Sequence, residues 1–146
     1  MEDIMAFKAR LDKDPKDVGA LISLANANMV ISRFDAAQDL YRRALDITPK
    51  NLDVRTNLAI AYKYGGKPAE AFAELQKNLA IDPQHGHTLY NLGFLYLTDK
   101  QDRAKAVETW KTWLRLYPDD PGAAEISTRI AEFETQPKSG AARSGA

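Results

Sequence analysis

The sequence predicts an all-α protein built from repeated pairs of short helices. The first observation is a proline that returns at nearly constant spacing, because Pro15, Pro49, Pro83 and Pro118 lie 34, 34 and 35 residues apart. The second is that each interval holds two segments with helical apolar periodicity, separated by a short turn. A repeat of this length is typical of a solenoid, in which each unit buries its apolar face only by stacking on its neighbours.

The middle unit, residues 51–83, shows the pattern most clearly. Asn51 is expected to cap the first helix, and Gly65 and Gly66 are expected to give that helix a left-handed exit. Pro68 suits the first turn of the second helix, which Pro83 ends. The apolar positions at helical spacing are Val54, Leu58, Ala61 and Tyr62, followed by Ala71, Leu75, Leu79 and Ile81.

The three units resemble the tetratricopeptide repeat, whose pattern is a large residue, then a leucine, a small residue and a tyrosine, then an alanine, an aromatic, a second alanine and a proline. The matching residues are Leu21, Leu24, Ala25, Ala37, Tyr41, Ala44 and Pro49; Leu58, Ala59, Tyr62, Ala71, Leu75 and Pro83; and Leu89, Leu92, Gly93, Tyr96, Ala106, Trp110 and Pro118. The positions that depart from the pattern are Asn28, Arg55, Asn78 and Trp113.

The resemblance implies a right-handed superhelix, an α-solenoid of about eight helices. Residues 1–134 are predicted to form one domain with three full repeats, a half repeat at the N-terminus and a capping helix at the C-terminus. The predicted repeats span 18–51, 52–85 and 86–119, the capping helix spans 121–134, and a disordered tail spans 135–146. A looser similarity, carried by "NLDVRTNLAIAYKYGGKPAEAF" and "AVETWKTWLRLYPDDP", is to bacterial repeat modules of envelope assembly and cytochrome c biogenesis.

Composition argues against several classes of function. Twenty basic and twenty acidic residues give no net charge, so the sequence does not favour a nucleic-acid partner. The absence of cysteine removes thiolate chemistry, and the two histidines, His85 and His87, are too few to make a structural metal site. The "YGGKP" stretch lacks the spacing of a phosphate-binding loop. We therefore predict no enzyme, no catalytic or metal residues and no cofactor.

No stretch of the sequence is apolar for the roughly 18 residues that a membrane span needs, and the acidic start does not suit a signal peptide. The chain is thus expected to be soluble as given, without membrane insertion. The compartment is left open between the cytoplasm and, if an anchor or signal was removed, the periplasm.

The resemblance also implies a binding surface, because in this family the first helices of the repeats line a concave groove. The corresponding groove residues here are Ile22, Asn26, Met29, Thr56, Asn57, Ile60, Lys63, Tyr64, His87, Tyr90, Asn91, Phe94 and Leu97. Asparagine amides can pair with a peptide backbone, and rigid aromatic rings are typical of binding hot spots. Replacing Tyr90 and Phe94 with alanine is expected to abolish binding and leave the fold intact.

Some members of the family clamp the C-terminal carboxylate of heat-shock chaperones with three cations and two asparagines. Asn26 and Asn57 match the asparagines, but the cationic positions hold Ile22, His87 and Asn91. Without charge-assisted bonds, this chain is not predicted to act as such a clamp. The favoured function is an adaptor that binds a peptide or helical segment of a partner protein, and the alternative is a self-assembling scaffold.

Trp113 stands where the repeat pattern has a small residue. An indole at this position predicts that the regular array ends here, and that the helix of residues 121–134 lays Ile126 and Ile130 over the ring. The alternative is that Trp113 faces solvent as a contact point for a partner or a second copy.

Overall fold

The computed structural model describes residues 4–136, which form eight α-helices and, within this range, no strand. The helices are α1 (Ile4–Lys13), α2 (Val18–Val30), α3 (Phe34–Ile47), α4 (Leu52–Tyr64), α5 (Pro68–Ile81), α6 (Gly86–Thr98), α7 (Arg103–Leu116) and α8 (Ala123–Thr135). The predicted all-α solenoid is therefore confirmed. Residues 137–146 of the predicted tail lie outside the described range, whereas Thr135 is the last residue of α8.

Consecutive helices pack against each other along the whole array. The pairs α2–α3, α4–α5 and α6–α7 are helical hairpins, and each second helix also packs against the first helix of the following pair. Contacts between α4 and α6 place two first helices side by side. No helix within residues 4–136 combines the length and the apolar character needed to span a membrane.

Local sequence signals explain where the helices of the middle hairpin begin and end. The Asn51 side chain accepts a hydrogen bond from the Val54 amide at 3.2 Å, which is the expected cap of α4. Pro68 begins α5, as expected for the first helical turn. The predicted left-handed exit is confirmed at Gly66, whose φ is +80°, whereas Gly65 has a φ of −81°. One left-handed residue suffices to reverse the chain here.

The core consists of two clusters of buried side chains. The larger runs from Phe7 in α1 to Leu95 in α6. The smaller, here called the tryptophan cluster, comprises Leu89, Ala106, Trp110, Trp113, Ile126 and Ile130. Trp113 is only 3% exposed and lies in the same cluster as the two isoleucines of α8, so the alternative in which it faces solvent is wrong.

Candidate peptide-binding groove

A recess between α4 and α6, here called the central recess, unites six of the predicted groove residues. Its volume is about 230 Å³. The predicted residues that line it are Ile60, Lys63, Tyr64, Tyr90, Asn91 and Phe94; the floor is completed by Ala59, Ala71, Leu75 and Leu95. Positions three and four residues apart on one helix share a face, so α4 and α6 each contribute one row of side chains.

The side of the central recess formed by α4 is exposed and carries a cation. Tyr64 is 62% exposed, and its ring stacks on that of Phe34 with 5.9 Å between the centroids. The Lys63 ammonium lies 5.9 Å from the centroid of the Tyr64 ring and has no carboxylate within ion-pair distance among the described residues. The recess therefore combines an apolar floor with one uncompensated positive charge.

The side formed by α6 is less exposed than the sequence predicts. Tyr90 lies 5.1 Å from Trp113, and Phe94 lies 4.9 Å from Trp110, measured between ring centroids. Both residues are half-buried and pack against the tryptophan cluster. We therefore expect replacement of both residues by alanine to destabilise the fold as well, because the change would remove packing from two buried indoles.

The remaining predicted groove residues differ in how accessible they are. Asn26 is exposed, and its side-chain oxygen accepts a hydrogen bond from the Tyr41 hydroxyl, whose pKa burial raises to about 12. Asn57 is half-buried, and its amide makes no hydrogen bond within residues 4–136. Asn91 donates to the His87 carbonyl at 2.8 Å. Ile22 and Met29 pack against the larger core cluster, and Leu97 packs against the tryptophan cluster.

Thr56 has no exposed surface and cannot contact a ligand, so its assignment to the groove is wrong. It belongs to a buried polar layer in which the amide of Asn78 donates to the hydroxyl oxygens of Thr56 and Thr88, each at 3.0 Å. The same layer holds Arg55, whose Nε lies 3.3 Å from a Glu74 carboxylate oxygen. Two departures from the repeat pattern thus contact each other inside the stack, because the Arg55 guanidinium donates to Asn78 Oδ1 at 3.4 Å, whereas its buried Nε makes no hydrogen bond within residues 4–136.

A second cleft, here called the acidic cleft, opens on the other side of Tyr90. Its volume is about 480 Å³, and it is lined by Asp53, His85, Gly86, His87, Tyr90, Trp113, Tyr117, Asp120 and Gly122. His85 Nε2 lies 3.1 Å from Asp53 Oδ1, and His87 Nδ1 lies 3.5 Å from the same oxygen. Burial lowers the pKa of His87 despite this carboxylate. Within the described part of the chain, no group of three potential ligands is arranged to hold a metal ion.

Of the residues that line this cleft, only His87 and Tyr90 are among the predicted groove residues. Asp53, Tyr117 and Asp120 were missed because they lie at helix ends and in a loop, outside the repeat signature. One signal in the sequence was available, namely an aromatic residue, Tyr117, directly before Pro118. The Tyr117 ring lies over Gly86, where an added Cβ would be 2.8 Å from the ring. Only a glycine at the start of α6 allows that approach.

Comparison with known proteins supports the same architecture. No family model matches the sequence. The chain is 26% identical over 101 residues to tetratricopeptide repeat protein 8 of Caenorhabditis elegans, covering 69% of this chain and 20% of that protein. It is 25% identical over 131 residues to the cytochrome c-type biogenesis protein CcmH of Escherichia coli K12, covering 88% of this chain and 37% of CcmH. The chain thus spans well under half the length of both relatives.

Solved structures match over most of the chain. A crystal structure of MamA gives a TM-score of 0.74 at 21% identity, covering 90% of this chain and 76% of that chain. The first tetratricopeptide repeat domain of Spaghetti (RPAP3), bound to the HSP90 peptide SRMEEVD, gives 0.67 at 22% identity, covering 84% and 97%. The chain has the tetratricopeptide-repeat fold. At these identities the structural matches establish the fold and leave the ligand to be argued from the site.

Proposed function

We propose that this tetratricopeptide-repeat protein is an interaction module that binds a segment of a partner protein in the central recess. The observation that carries the proposal is the convergence of six groove residues on one concave site between α4 and α6. Exposed apolar and aromatic area surrounded by polar groups is the usual composition of a binding hot spot. Enzymatic activity is not proposed, because the described residues that line the recess include no carboxylate and no imidazole.

The chemistry of the recess suggests what it accepts. Ile60 and the ring of Tyr64 offer apolar contact, while the Asn91 side chain and the unpaired Lys63 lie beside them. The segment should therefore present an apolar side chain to the floor and an acceptor, such as a carboxylate or a backbone carbonyl, to Lys63. The carboxylate clamp is not proposed, because Ile22, His87 and Asn91 stand in its three cationic positions.

Replacing Tyr64 with alanine is expected to weaken partner binding by roughly tenfold or more, as for a hot-spot aromatic residue. The fold should remain intact because Tyr64 is 62% exposed. Affinity capture from the source cells, with quantification of each bound protein, would measure the change. Ile81→Ala is the matched control, because Ile81 is 53% exposed at the end of α5, a second helix. Equal capture by both variants and the parent protein would contradict the proposal.

Self-assembly is the second candidate, and we propose it on an exposed apolar surface near the N-terminus. Val30 is 82% exposed and Ile31 45%. Val30 and Ile31 border a recess between α1 and α2, which also includes Ile4 and Phe7. Contiguous exposed apolar surface of this kind is typical of association sites.

If this surface joins two copies, Val30→Glu is expected to convert an oligomer to a monomer, since association would bury the new charge. Gel filtration with light scattering would report the mass of each species. Ile81→Glu is the control variant, because it places the same negative charge at another exposed apolar position. A parent protein that is monomeric at high concentration would exclude this candidate.

A further inference from the structure

We propose that the acidic cleft binds an organic cation, namely the ammonium or guanidinium group of a lysine or arginine side chain. The inference extends the proposed function, since the cation would belong to the segment held in the neighbouring central recess. Tyr90 lines both sites, so a bound segment can reach from one to the other. The affinity of the cleft for a free cation does not depend on that larger proposal.

The charges that line the cleft favour a cation. Asp53 and Asp120 contribute two carboxylates, and no lysine or arginine is among the lining residues. Both histidine contacts of Asp53 use Oδ1, and Asp120 accepts the Gly122 amide hydrogen with its own Oδ1. The second oxygen of each carboxylate makes no hydrogen bond within residues 4–136. Each can therefore accept a charge-assisted hydrogen bond from an incoming ligand.

The aromatic wall of the cleft favours the same ligand. The Trp113 ring is only 3% exposed and packs 5.1 Å from Tyr90 and 6.5 Å from Tyr117 between centroids, so the rings of Tyr90 and Tyr117 form the accessible aromatic wall of the cleft. Aromatic rings attract alkylammonium and guanidinium groups, and they also pack well on the methylene stem of lysine or arginine. Gly122 keeps this wall open, because an added Cβ would lie 3.4 Å from Tyr90 and 3.6 Å from Trp113.

His87 does not compensate the two negative charges at neutral pH. Burial lowers the pKa of His87, which favours its uncharged form. Both ring nitrogens of His85 make hydrogen bonds, Nε2 with Asp53 and Nδ1 with the Thr88 hydroxyl, 2.7 Å away. The lining residues of the cleft thus include two carboxylates and an imidazole, that of His87, whose uncharged form is favoured.

The test is a titration of the whole protein with Nα-acetyl-lysine N-methylamide, followed by amide chemical shifts. Saturable shifts at Gly86, His87 and Gly122 are expected. The uncharged analogue, Nα-acetyl-norleucine N-methylamide, should produce none. A D53N/D120N double variant keeps the hydrogen bonds of both side chains but removes their charge, and it should bind the lysine probe at least roughly tenfold more weakly. Asp46→Asn removes an exposed carboxylate from α3 and should have no effect.

An equal response to the norleucine probe, or an unchanged affinity in the double variant, would overturn the proposal. Tyr64 lies outside the acidic cleft, so the Tyr64→Ala variant should bind the lysine probe like the parent protein. If lysine binding persists while Tyr64→Ala leaves partner capture unchanged, only the central recess is wrong. If the lysine probe does not bind while Tyr64→Ala abolishes capture, only the acidic cleft is wrong.

Discussion

Replacing Gly93 with alanine is expected to lower the free energy of unfolding by about 3 kcal/mol, the upper range for an overpacked core. An added Cβ at this position would lie 2.0 Å from Trp110 Nε1 and 2.3 Å from its Cδ1. The indole cannot easily move aside, since it is fully buried and donates to the Tyr90 carbonyl at 3.2 Å. The steric cost should therefore outweigh the gain of roughly 1 kcal/mol that alanine usually brings to a helix interior.

Urea denaturation followed by circular dichroism would measure this change as a lower midpoint. Gly19→Ala is the matched control within α2, because its Cβ would lie 3.4 Å from the Arg10 guanidinium, the end of a flexible side chain. That variant should be as stable as the parent protein or slightly more so. A Gly93→Ala midpoint equal to that of the control would show that α6 and α7 are not packed as closely as the structure has them.

Ending the chain after Pro118 is expected to cause association or precipitation. The change removes α8, whose Ile126 is fully buried and whose Ile130 is 6% exposed within the tryptophan cluster. Trp110 and Trp113 would then face solvent together, and apolar surface of that kind promotes association. The tryptophan emission should also shift to longer wavelength, because the indoles would move from a buried to an aqueous environment.

Light scattering and fluorescence spectra would follow both effects. The control is a chain that ends at Gln136, which retains all of α8. It should behave as the full sequence does. A chain ending at Pro118 that stays monomeric with unchanged emission would show that α8 does not cover the tryptophans.

The fold could be predicted from sequence because its determinants are local and repeated. The interval between prolines, the Asn51 cap and the Pro68 start each act within a few residues, and stacking then repeats one geometry. Trp113 was also informative, since a large residue at a small position indicates a change in how the next helix packs. Gly65 shows the limit of such signals, because either of two adjacent glycines can supply the left-handed turn and the sequence does not distinguish them.

The sequence predicted which helices carry the site residues, but not how exposed their side chains are. Repeat position placed Tyr90 and Phe94 on the concave side of α6, yet their half-buried state depends on two tryptophans from α7. Thr56 likewise has the position of a groove residue, but Asn78 from α5 draws it into a buried polar layer. Such outcomes depend on which side chains meet across helices, and the repeat pattern does not encode those pairings.

By itself, the sequence determined the helical solenoid and its period, because helix periodicity and turn chemistry act over short distances. Only the tertiary structure decided that Lys63 and Tyr64 form the accessible side of the central recess. It alone also brought Asp53, His85 and Asp120 together in one cleft. These three residues are far apart along the chain, and their proximity follows from the angle at which successive hairpins stack, a property of the packed array and not of any single unit.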